Sequence, residues 1–340
     1  MTTLARRKKS PSSDLAAVAA RAGVSIATVS RVVNGAADKV AEKTADRVRK
    51  AVKELDYRPQ SAGRALRSGT TRIIAVLVAN LGNPIMAAIA SSIEDALRRE
   101  GYVMLLCDTH EKSEIQDEYL REMQALRVCA IVMAVAVPSA RLDELRERGV
   151  PLVFVNRRDP VPSRFPYVGI DNRTAGQDVA RHCLARGWRD LAVIHPSLAY
   201  SAQRERLEGF ITGLAEAGLP EAQIRRYSCS GIDHLQIGQQ AMTAMLADRP
   251  LPQALVCLSD PLAYGAYFAV TKAGLRIPQD LKMIGFDDGP LNHWIAQWLS
   301  AVRIPYELIG DAVYEAVYRQ LIGEASPDQT IPHELIIRDR

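Results

Sequence analysis

The strongest constraint on the fold is a repeating pattern that begins at Arg72. Short apolar runs alternate with amphipathic stretches of helical period over the remaining 268 residues. Parallel strands covered by helices on both faces produce this alternation, so the pattern predicts an α/β fold. Because these residues are too many for a single domain built on one sheet, we expect two lobes with a cleft between them.

The predicted strands are Ile73–Ala79, Val103–Cys107, Ala130–Val135, Leu152–Val155, Leu191–Ile194, Ala254–Leu258, Met283–Phe286 and a last strand Glu334–Ile337. The predicted helices between them are Met86–Glu100, Gln116–Arg127, Arg173–Arg186, Arg204–Ala217, Gly238–Ala247 and Leu262–Ala273. Ligands of such sheets bind at the carboxyl ends of the strands, so the loops that follow these runs are where a binding site is expected.

Charge is distributed unevenly along the 340 residues. Residues 1–72 hold 16 Lys and Arg against 6 Asp and Glu, a net charge of +10, whereas the remainder holds 27 against 33, a net charge of −6. A basic leading segment ahead of an acidic body predicts an N-terminal unit that binds a polyanion and a larger unit with another task.

Several classes of protein do not fit the composition. No apolar run approaches the roughly 18–20 residues of a membrane span, and no apolar stretch follows the basic cluster at Arg6 as in a secretory signal, so we expect a cytoplasmic protein. The five cysteines show no C-x-x-C spacing and the six histidines no H-E-x-x-H pair. We therefore expect no metal and no cofactor.

Two short helices are predicted within the basic segment. Asp14 can cap a helix over Leu15–Ala22, Gly23 ends it, and Ser25 can cap a second helix reaching about Asn34. Two brief helices joined by a tight glycine turn are typical of a helix-turn-helix, although other α-rich domains contain such pairs. The surrounding positive charge favours the DNA-binding interpretation.

Three consecutive stretches of the N-terminal region carry a family resemblance: LAAVAARAGVSIATVSRVVNG, KVAEKTADRVRKAVKELDYRP and QSAGRALRSGTTRIIAVLV. They resemble the head of lactose-repressor/galactose-repressor (LacI/GalR) transcription regulators, and the similarity runs essentially end to end. It implies an all-α helix-turn-helix head and a bilobed, periplasmic-binding-protein-like core of two doubly wound parallel sheets. The implied divisions are a basic disordered tail (1–13), the head (14–57), a hinge helix or linker (58–70) and the core (71–340). Lobe 1 would take about 71–170 plus 303–330, and lobe 2 about 171–302 plus the C-terminal strand.

The resemblance implies that the second helix of the head lies in the major groove. Ile26 and Ala27 would read bases together with Arg31, which can make a bidentate bond to guanine. Ile26 and Ala27 offer only apolar contact, most naturally to a thymine methyl group; alternatively, Ile26 packs inside the head beside Val29. The residues expected to hold phosphates are Ser25, Thr28, Ser30 and Asn34.

The third helix and the hinge carry further expectations. Ala41 stands where the family usually has a hydroxyl cap ahead of a helix predicted at Glu42–Leu55, so Asp38 is an alternative cap. The resemblance implies a hinge helix that inserts Leu66 into the minor groove, flanked by Arg64 and Arg67 at phosphates. A plain charged linker is the alternative, because a glycine within a helix costs about 1 kcal/mol relative to alanine.

The core is expected to bind a small-molecule effector. By resemblance, Arg206 in RLEGF, Asp287 in GFDD and Asp260 in LSDPLAYG contact it, although Ser259 stands where Asn is usual and Pro261 is unusual. Further candidates follow predicted strands or lie in the NHWIAQWL segment: Asn80, Asn83, Asp108, Arg157, His195, Trp294 and Trp298. For Asp108 and Asp260, capping of the following helix is the alternative. Arginine, carboxylates and an aromatic surface favour a sugar or sugar acid, with a purine left open.

These patterns predict a regulator rather than an enzyme. The core has no G-x-G-x-x-G, no G-x-x-x-x-G-K-[ST] and no G-x-S-x-G motif, although a spatial triad is invisible in a sequence. The rival classes are a sugar- or nucleotide-processing enzyme and a solute-binding protein, which would have no use for residues 14–68. We expect a homodimer, joined through helices including Met86–Arg99, that binds a pseudo-palindromic double-stranded operator and acts as a repressor.

Overall fold

The computed structural model describes residues 15–33, 39–57, 71–161, 164–248 and 250–338. The expected tail, the hinge segment with Arg64, Leu66 and Arg67, and the residues Asn34 and Asp38 lie outside the described residues. The chain divides into two units, Met1–Thr71 and Arg72–Arg340, which we call the head and the core.

The head contains three described helices, α1 (Leu15–Ala22), α2 (Ile26–Val33) and α3 (Glu42–Glu54). Gly23 has a φ of +64°, a left-handed conformation that lets the chain turn sharply between α1 and α2. The residues packed at the centre are Val18, Ala19, Ala22, Val29, Val48, Ala51 and Tyr57. The predicted helix-turn-helix is therefore present, and α3 begins at Glu42 without a side-chain cap from Ala41.

Lobe 1 of the core is built on a six-stranded parallel sheet. Its strands are β1 (Ile73–Val78), β2 (Val103–Asp108), β3 (Ala130–Met133), β4 (Leu152–Val155), β5 (Tyr167–Ile170) and β11 (Gln329–Ile331), in the order β11-β5-β4-β3-β1-β2. Its helices are α4 (Pro84–Arg99), α5 (Ser113–Ala125), α6 (Ala140–Glu147) and α12 (Tyr306–Leu321).

Lobe 2 contains a second six-stranded sheet. Its strands are β6 (Leu191–Ile194), β7 (Arg225–Tyr227), β8 (Ala254–Cys257), β9 (Lys282–Asp287), β10 (Ser300–Arg303) and β12 (Glu334–Ile336), in the order β12-β10-β9-β8-β6-β7. All pairs are parallel except β10 with β12. Its helices are α7 (Asn172–Ala185), α8 (Ser201–Glu216), α9 (His234–Ala247), α10 (Asp260–Lys272), α11 (Asn292–Ile295) and a short 3₁₀ turn, Glu221–Gln223.

The predicted fold class is confirmed. The chain passes between the lobes after β5, after β10 and after β11. Two glycines bring α7 and α8 into backbone contact, because a Cβ on Gly209 would lie 2.0 Å from the Arg173 carbonyl oxygen and one on Gly176 would lie 2.3 Å from that of Arg206. This close packing fixes the position of α8 against α7.

No single helix within the described ranges is long and apolar enough to span a membrane. The bent pair of α1 and α2 meets the criteria of length and composition when the two are taken together.

Candidate functional site

The N-terminal turn of α2 is shaped by Ser25. Its Oγ accepts a hydrogen bond from the Thr28 backbone N–H at 3.1 Å and lies 2.9 Å from Thr28 Oγ1, so Ser25 caps the helix as expected. Val29 is fully buried, whereas Ile26 is 52% exposed. The alternative that Ile26 packs inside the head is therefore wrong, and α2 presents Ile26, Ala27 and Arg31 on its outer surface.

Other arginines of the head have structural roles. Arg47 donates to the carbonyl oxygens of Ala22 and Gly23, at 2.6 and 2.9 Å, and so completes the C-terminus of α1. Arg21 pairs with Glu54 at 2.5 Å. Arg31, by contrast, is exposed and forms no ion pair with any described residue. It is thus the cation of α2 that remains available to a partner.

The core contains a cleft of about 230 Å³ between the inner edges of the two sheets. Its polar lining comes from the loops after the strands and from the first turns of helices: Asn80, Asn83, Glu111, Asn156 and Arg157 of lobe 1, and Gln203, Arg206, Asp233, His234, Ser259, Tyr264 and Asp287 of lobe 2. Of the effector residues expected from the sequence, the structure brings Asn80, Asn83, Arg157, Arg206 and Asp287 together here.

Arg206 is the largest fully buried side chain of the core, with 1% of its surface exposed. Its Nε donates to Asn172 Oδ1 at 2.9 Å, and its Nη1 donates to the Leu258 carbonyl oxygen at 2.8 Å and to Asp287 Oδ1 at 3.1 Å. Asp287 has a φ of +107°, which is unfavourable for a residue with a side chain. The pairing with Arg206 helps hold that conformation at the wall of the cleft.

Arg157 lies on the opposite wall. Its Nη2 donates to Glu111 Oε1 at 2.7 Å, and its guanidinium lies 3.9 Å from the ring centre of Tyr200, which belongs to lobe 2. The next residue extends this link, since the Arg158 backbone N–H donates to Ser201 Oγ at 2.8 Å. The two lobes are thus joined along one side of the cleft by arginine contacts.

A serine and a histidine also meet in the cleft. His234 Nδ1 lies 2.9 Å from Ser259 Oγ, although 25 positions separate the two residues in the chain. Burial is the main reason why the pKa of His234 falls to about 4. The imidazole is therefore neutral at pH 7, when it acts as a hydrogen-bonding group rather than as a cation.

Two expected effector carboxylates, Asp108 and Asp260, do not line the cleft. Asp260 Oδ2 accepts hydrogen bonds from the Gly289 backbone N–H at 2.7 Å and from Asn292 Nδ2 at 2.8 Å. Asp108 accepts from the backbone N–H groups of Leu81, at 2.8 Å, and His110, at 3.0 Å. Both carboxylates fix loops next to the cleft, so direct effector contact is corrected to a positioning role for each.

The expected aromatic surface is also elsewhere. Trp294 is 76% exposed on the outside of lobe 2, and Trp298 stacks on Tyr267 at 4.0 Å between ring centres. The aromatic ring that lines the cleft is Tyr264, whose hydroxyl donates to Asn292 Oδ1. Tyr264 lies one helical turn after Pro261, which also lines the cleft, so the helical period of LSDPLAYG carried a signal that the sequence prediction did not use. His195 does not line the cleft either; its Nδ1 lies 2.9 Å from the Pro196 carbonyl oxygen.

The family of the chain follows from comparison with known proteins. The family described as bacterial regulatory proteins, lacI family, matches residues 14–60, and the family described as periplasmic binding proteins and sugar binding domain of LacI family matches residues 71–339. This chain belongs to the LacI family. As a LacI-family protein, it is a DNA-binding transcriptional repressor with a ligand-binding core.

Individual relatives agree with this LacI-family assignment. The HTH-type transcriptional repressor PurR of Erwinia tasmaniensis is 33% identical over 319 residues, which cover 92% of each chain. The fold is similar to that of the Lac repressor dimer bound to operator and the anti-inducer ONPF, with a TM-score of 0.83 at 24% identity over 95% of this chain and 97% of that one. A LacI-family regulator from Enterococcus faecium with bound ribose has a TM-score of 0.69 at 26% identity over 78% of this chain and 97% of the other.

We also searched the described side chains for arrangements that could bind a metal ion. No group of three or more His, Cys, Asp or Glu residues within the described ranges is arranged to hold a metal ion.

Proposed function

We propose that this repressor is a cytoplasmic homodimer that binds a pseudo-palindromic operator and is controlled by a neutral, polyhydroxylated effector of the sugar class. In this proposal the effector binds between the lobes of the core and leaves chemically unchanged. Ile26, Ala27 and Arg31 read bases, while Ser25, Thr28 and Ser30 hold phosphates. Outside the described residues, we propose a phosphate contact for Asn34 and hinge contacts for Arg64, Leu66 and Arg67.

The observation that carries the effector proposal is the charge balance of the cleft. Each of its two guanidinium groups is already paired, Arg206 with Asp287 and Arg157 with Glu111. Asp233 contributes a further carboxylate, which caps α9. Because each guanidinium in the described lining already has a carboxylate partner, its positive charge is compensated, and these pairs favour a neutral sugar over a sugar acid.

The remaining lining is suited to hydroxyl groups and to the apolar face of a small ring. Asn80, Asn156 and Ser259 supply donors and acceptors, while Ile85 and Met86 supply apolar surface. The cleft volume of about 230 Å³ is below the roughly 300–1,000 Å³ of pockets for drug-sized ligands, which favours a monosaccharide. The ribose bound to the Enterococcus faecium regulator supports the same class.

A purine is the second candidate effector. The ring of Tyr264 can stack on a planar heterocycle, and amide side chains can bond to its edge. Purines also lack a net charge at neutral pH, so the charge balance does not discriminate against them. Binding measurements with sugars and purines distinguish the two candidates.

Binding without catalysis is supported by the state of the Ser259–His234 pair. A general base works best with a pKa near the operating pH, whereas the pKa of His234 is about 4. A neutral imidazole with so low a pKa takes a proton from serine poorly. The pair therefore serves as part of the cleft wall that forms hydrogen bonds to a ligand.

The dimer is expected to join through helices including α4 of lobe 1, and exposed apolar side chains on lobe 2 give it further support. Leu291, Trp294 and Ile295 are each at least half exposed around α11, and Phe268 of α10 is 55% exposed. Apolar surface of this kind is typical of a protein interface. Two copies related by a two-fold axis would present two heads to two half-sites, which predicts a pseudo-palindromic operator.

The function is tested by fluorescence anisotropy with the full-length protein and duplexes from its own upstream region. We expect specific binding that weakens steeply as salt rises, and a change in affinity when the right sugar is added. Thermal-shift screening of sugars, sugar acids and purines identifies the class. Equal affinity for operator and random duplex, with and without these compounds, would contradict the DNA-binding proposal; stabilisation by sugar acids alone would contradict the effector class.

A further inference from the structure

Two buried polar atoms of the core lack a hydrogen-bond partner among the described residues and line the same cleft. They are Nη1 of Arg157 and Oε1 of Gln203. The two residues are only 7% and 6% exposed. Buried donors and acceptors are nearly always paired, so an unpaired group in a binding cleft points to a ligand atom.

The two atoms belong to opposite lobes. Arg157 follows β4 of lobe 1, and its other contacts, with Glu111 and the ring of Tyr200, hold the guanidinium in place. Gln203 lies in the first turn of α8 in lobe 2, three residues before Arg206. The backbone contact between α7 and α8 fixes that turn. Both unpaired groups are therefore carried by rigid surroundings, as a selective site requires.

The groups are complementary in polarity, since the guanidinium only donates and the amide oxygen only accepts. A hydroxyl group can accept from the first and donate to the second, whereas an ether or a carboxylate can satisfy only the guanidinium. We propose that Arg157 and Gln203 are specificity-determining residues that bind hydroxyl groups of the effector from the two lobes. This inference rests on the proposed effector cleft and adds which residues select the ligand.

An effector bonded to both Arg157 and Gln203 forms a bridge between the lobes and would also strengthen the link between them. Arg157 already contacts Tyr200, and Arg158 already bonds to Ser201 across the same gap. An effector held by Arg157 and Gln203 adds bonds across the same gap. A ligand shifts a conformational equilibrium by its differential affinity, so these bonds favour the arrangement described here.

The test is isothermal titration calorimetry on the full-length protein with D-ribose, D-glucose, D-xylose, hypoxanthine and adenine as probes. The variants are Gln203→Met, which keeps the length but removes the acceptor, and Arg157→Lys, which keeps the charge beside Glu111 but moves the donors. Matched controls are Gln236→Met and Arg204→Lys, because both residues are exposed on helices of lobe 2. Thermal melting verifies folding, and Gln203→Asn, which withdraws the amide by one methylene, replaces Gln203→Met if that variant does not fold.

We expect each cleft variant to bind the best probe roughly 10- to 100-fold more weakly, and the controls to bind as the wild type does. Monodeoxy analogues give the readout that a merely structural role would not change. Removing the bridging hydroxyl should weaken wild-type binding about tenfold or more, and this ratio should fall toward one in Gln203→Met.

The outcomes separate the two proposals. If a sugar binds and both cleft variants match the wild type in affinity and selectivity, the assignment of Arg157 and Gln203 is overturned while the sugar effector stands. If only a purine binds, the sugar class and the proposed hydroxyl contacts are both overturned, and loss of affinity in both variants would show only that the two residues contact the ligand. If no probe binds the wild type, both proposals are overturned.

Discussion

The functional side chains of the head and of the core lie in opposite environments, since those of the head are exposed and those of the core are buried and hydrogen-bonded. On the head, Ile26 is 52% exposed and Arg31 is exposed without an ion pair among the described residues. In the core, Arg206 is 1% exposed and bonded to a side-chain amide, a carbonyl and a carboxylate. DNA is a large, ordered polyanion that can be read from a surface, whereas a small molecule needs a site built around it. A substitution on the reading surface should thus affect binding alone, and one in the cleft should also affect stability.

The largest effect is expected for Arg206→Met. Removing the guanidinium leaves Asp287 buried without its partner, and breaking one side of a buried pair costs about 3–5 kcal/mol. Urea unfolding should show this loss of stability. Operator-binding titrations with and without the effector should show loss of the effector response. Arg204→Met, an exposed change on the same helix, should stay within about 0.5 kcal/mol of the wild type. Equal stability of the two variants would refute the structural half of the comparison.

Arg31→Ala should give the complementary result. Losing a bidentate contact to guanine weakens operator binding by about 1–3 kcal/mol and relaxes the preference at one base pair. The melting temperature should not change, because the side chain lies on the surface of α2. Anisotropy titrations against single-base operator variants measure both effects. An Arg31→Ala protein that binds the operator as tightly as the wild type would remove this residue from base reading.

The sequence predicted the elements of this comparison unequally well. Apolar runs located Leu152–Val155 and Leu191–Ile194 to the residue, because central strands of a parallel sheet are buried on both faces. β5 (YVGI), β7 (RRY), β10 (SAVR) and β11 (QTI) were not predicted. β7, β10 and β11 contain polar residues, and all four strands are so short that they owe their conformation to their neighbours in the sheet.

The sequence likewise predicted some of the site residues and missed others. Arg206 and Asp287 were expected from family motifs, and Ser25 from the preference for hydroxyl caps. Gln203 was missed because helical period does not reveal which first turn faces a cleft. Asp260 was misassigned for a physical reason: its carboxylate is bonded to Gly289, 29 positions away, and no local pattern records such a contact. Its role in the segment after β9 therefore needed the three-dimensional structure.

Asp260 gives a pH-dependent test of the buried half of the molecule. Burial, followed by the neighbouring Asp287, raises the pKa of Asp260 well above its usual value. A raised folded-state pKa contributes stability that is fully present below the unfolded pKa, about 3.9, and is lost as pH rises through the folded pKa. The wild type should thus lose up to about 1.4 kcal/mol per pH unit within that window, relative to Asp260→Asn.

Urea unfolding of both proteins at a series of pH values measures this difference. Asp280→Asn is the control, because hydrogen bonds from Arg276 lower the pKa of this exposed carboxyl and give its contribution the opposite sign. Parallel stability curves for the wild type and Asp260→Asn would show that Asp260 is ionised in the folded protein.

The smallest effect should come from Ile26, where the exposed surface makes its weakest contact. An aliphatic side chain at the reading face can recognise the methyl group that distinguishes thymine from uracil, a contact worth on the order of 0.8 kcal/mol. Replacing the facing thymine by uracil removes only that methyl group and leaves every hydrogen-bonding atom of the base unchanged. The uracil penalty should therefore be present in the wild type and absent in Ile26→Ala, with unchanged melting of the protein. A penalty of equal size in both proteins would mean that another residue contacts the methyl group, because a contact made by Ile26 cannot survive its removal.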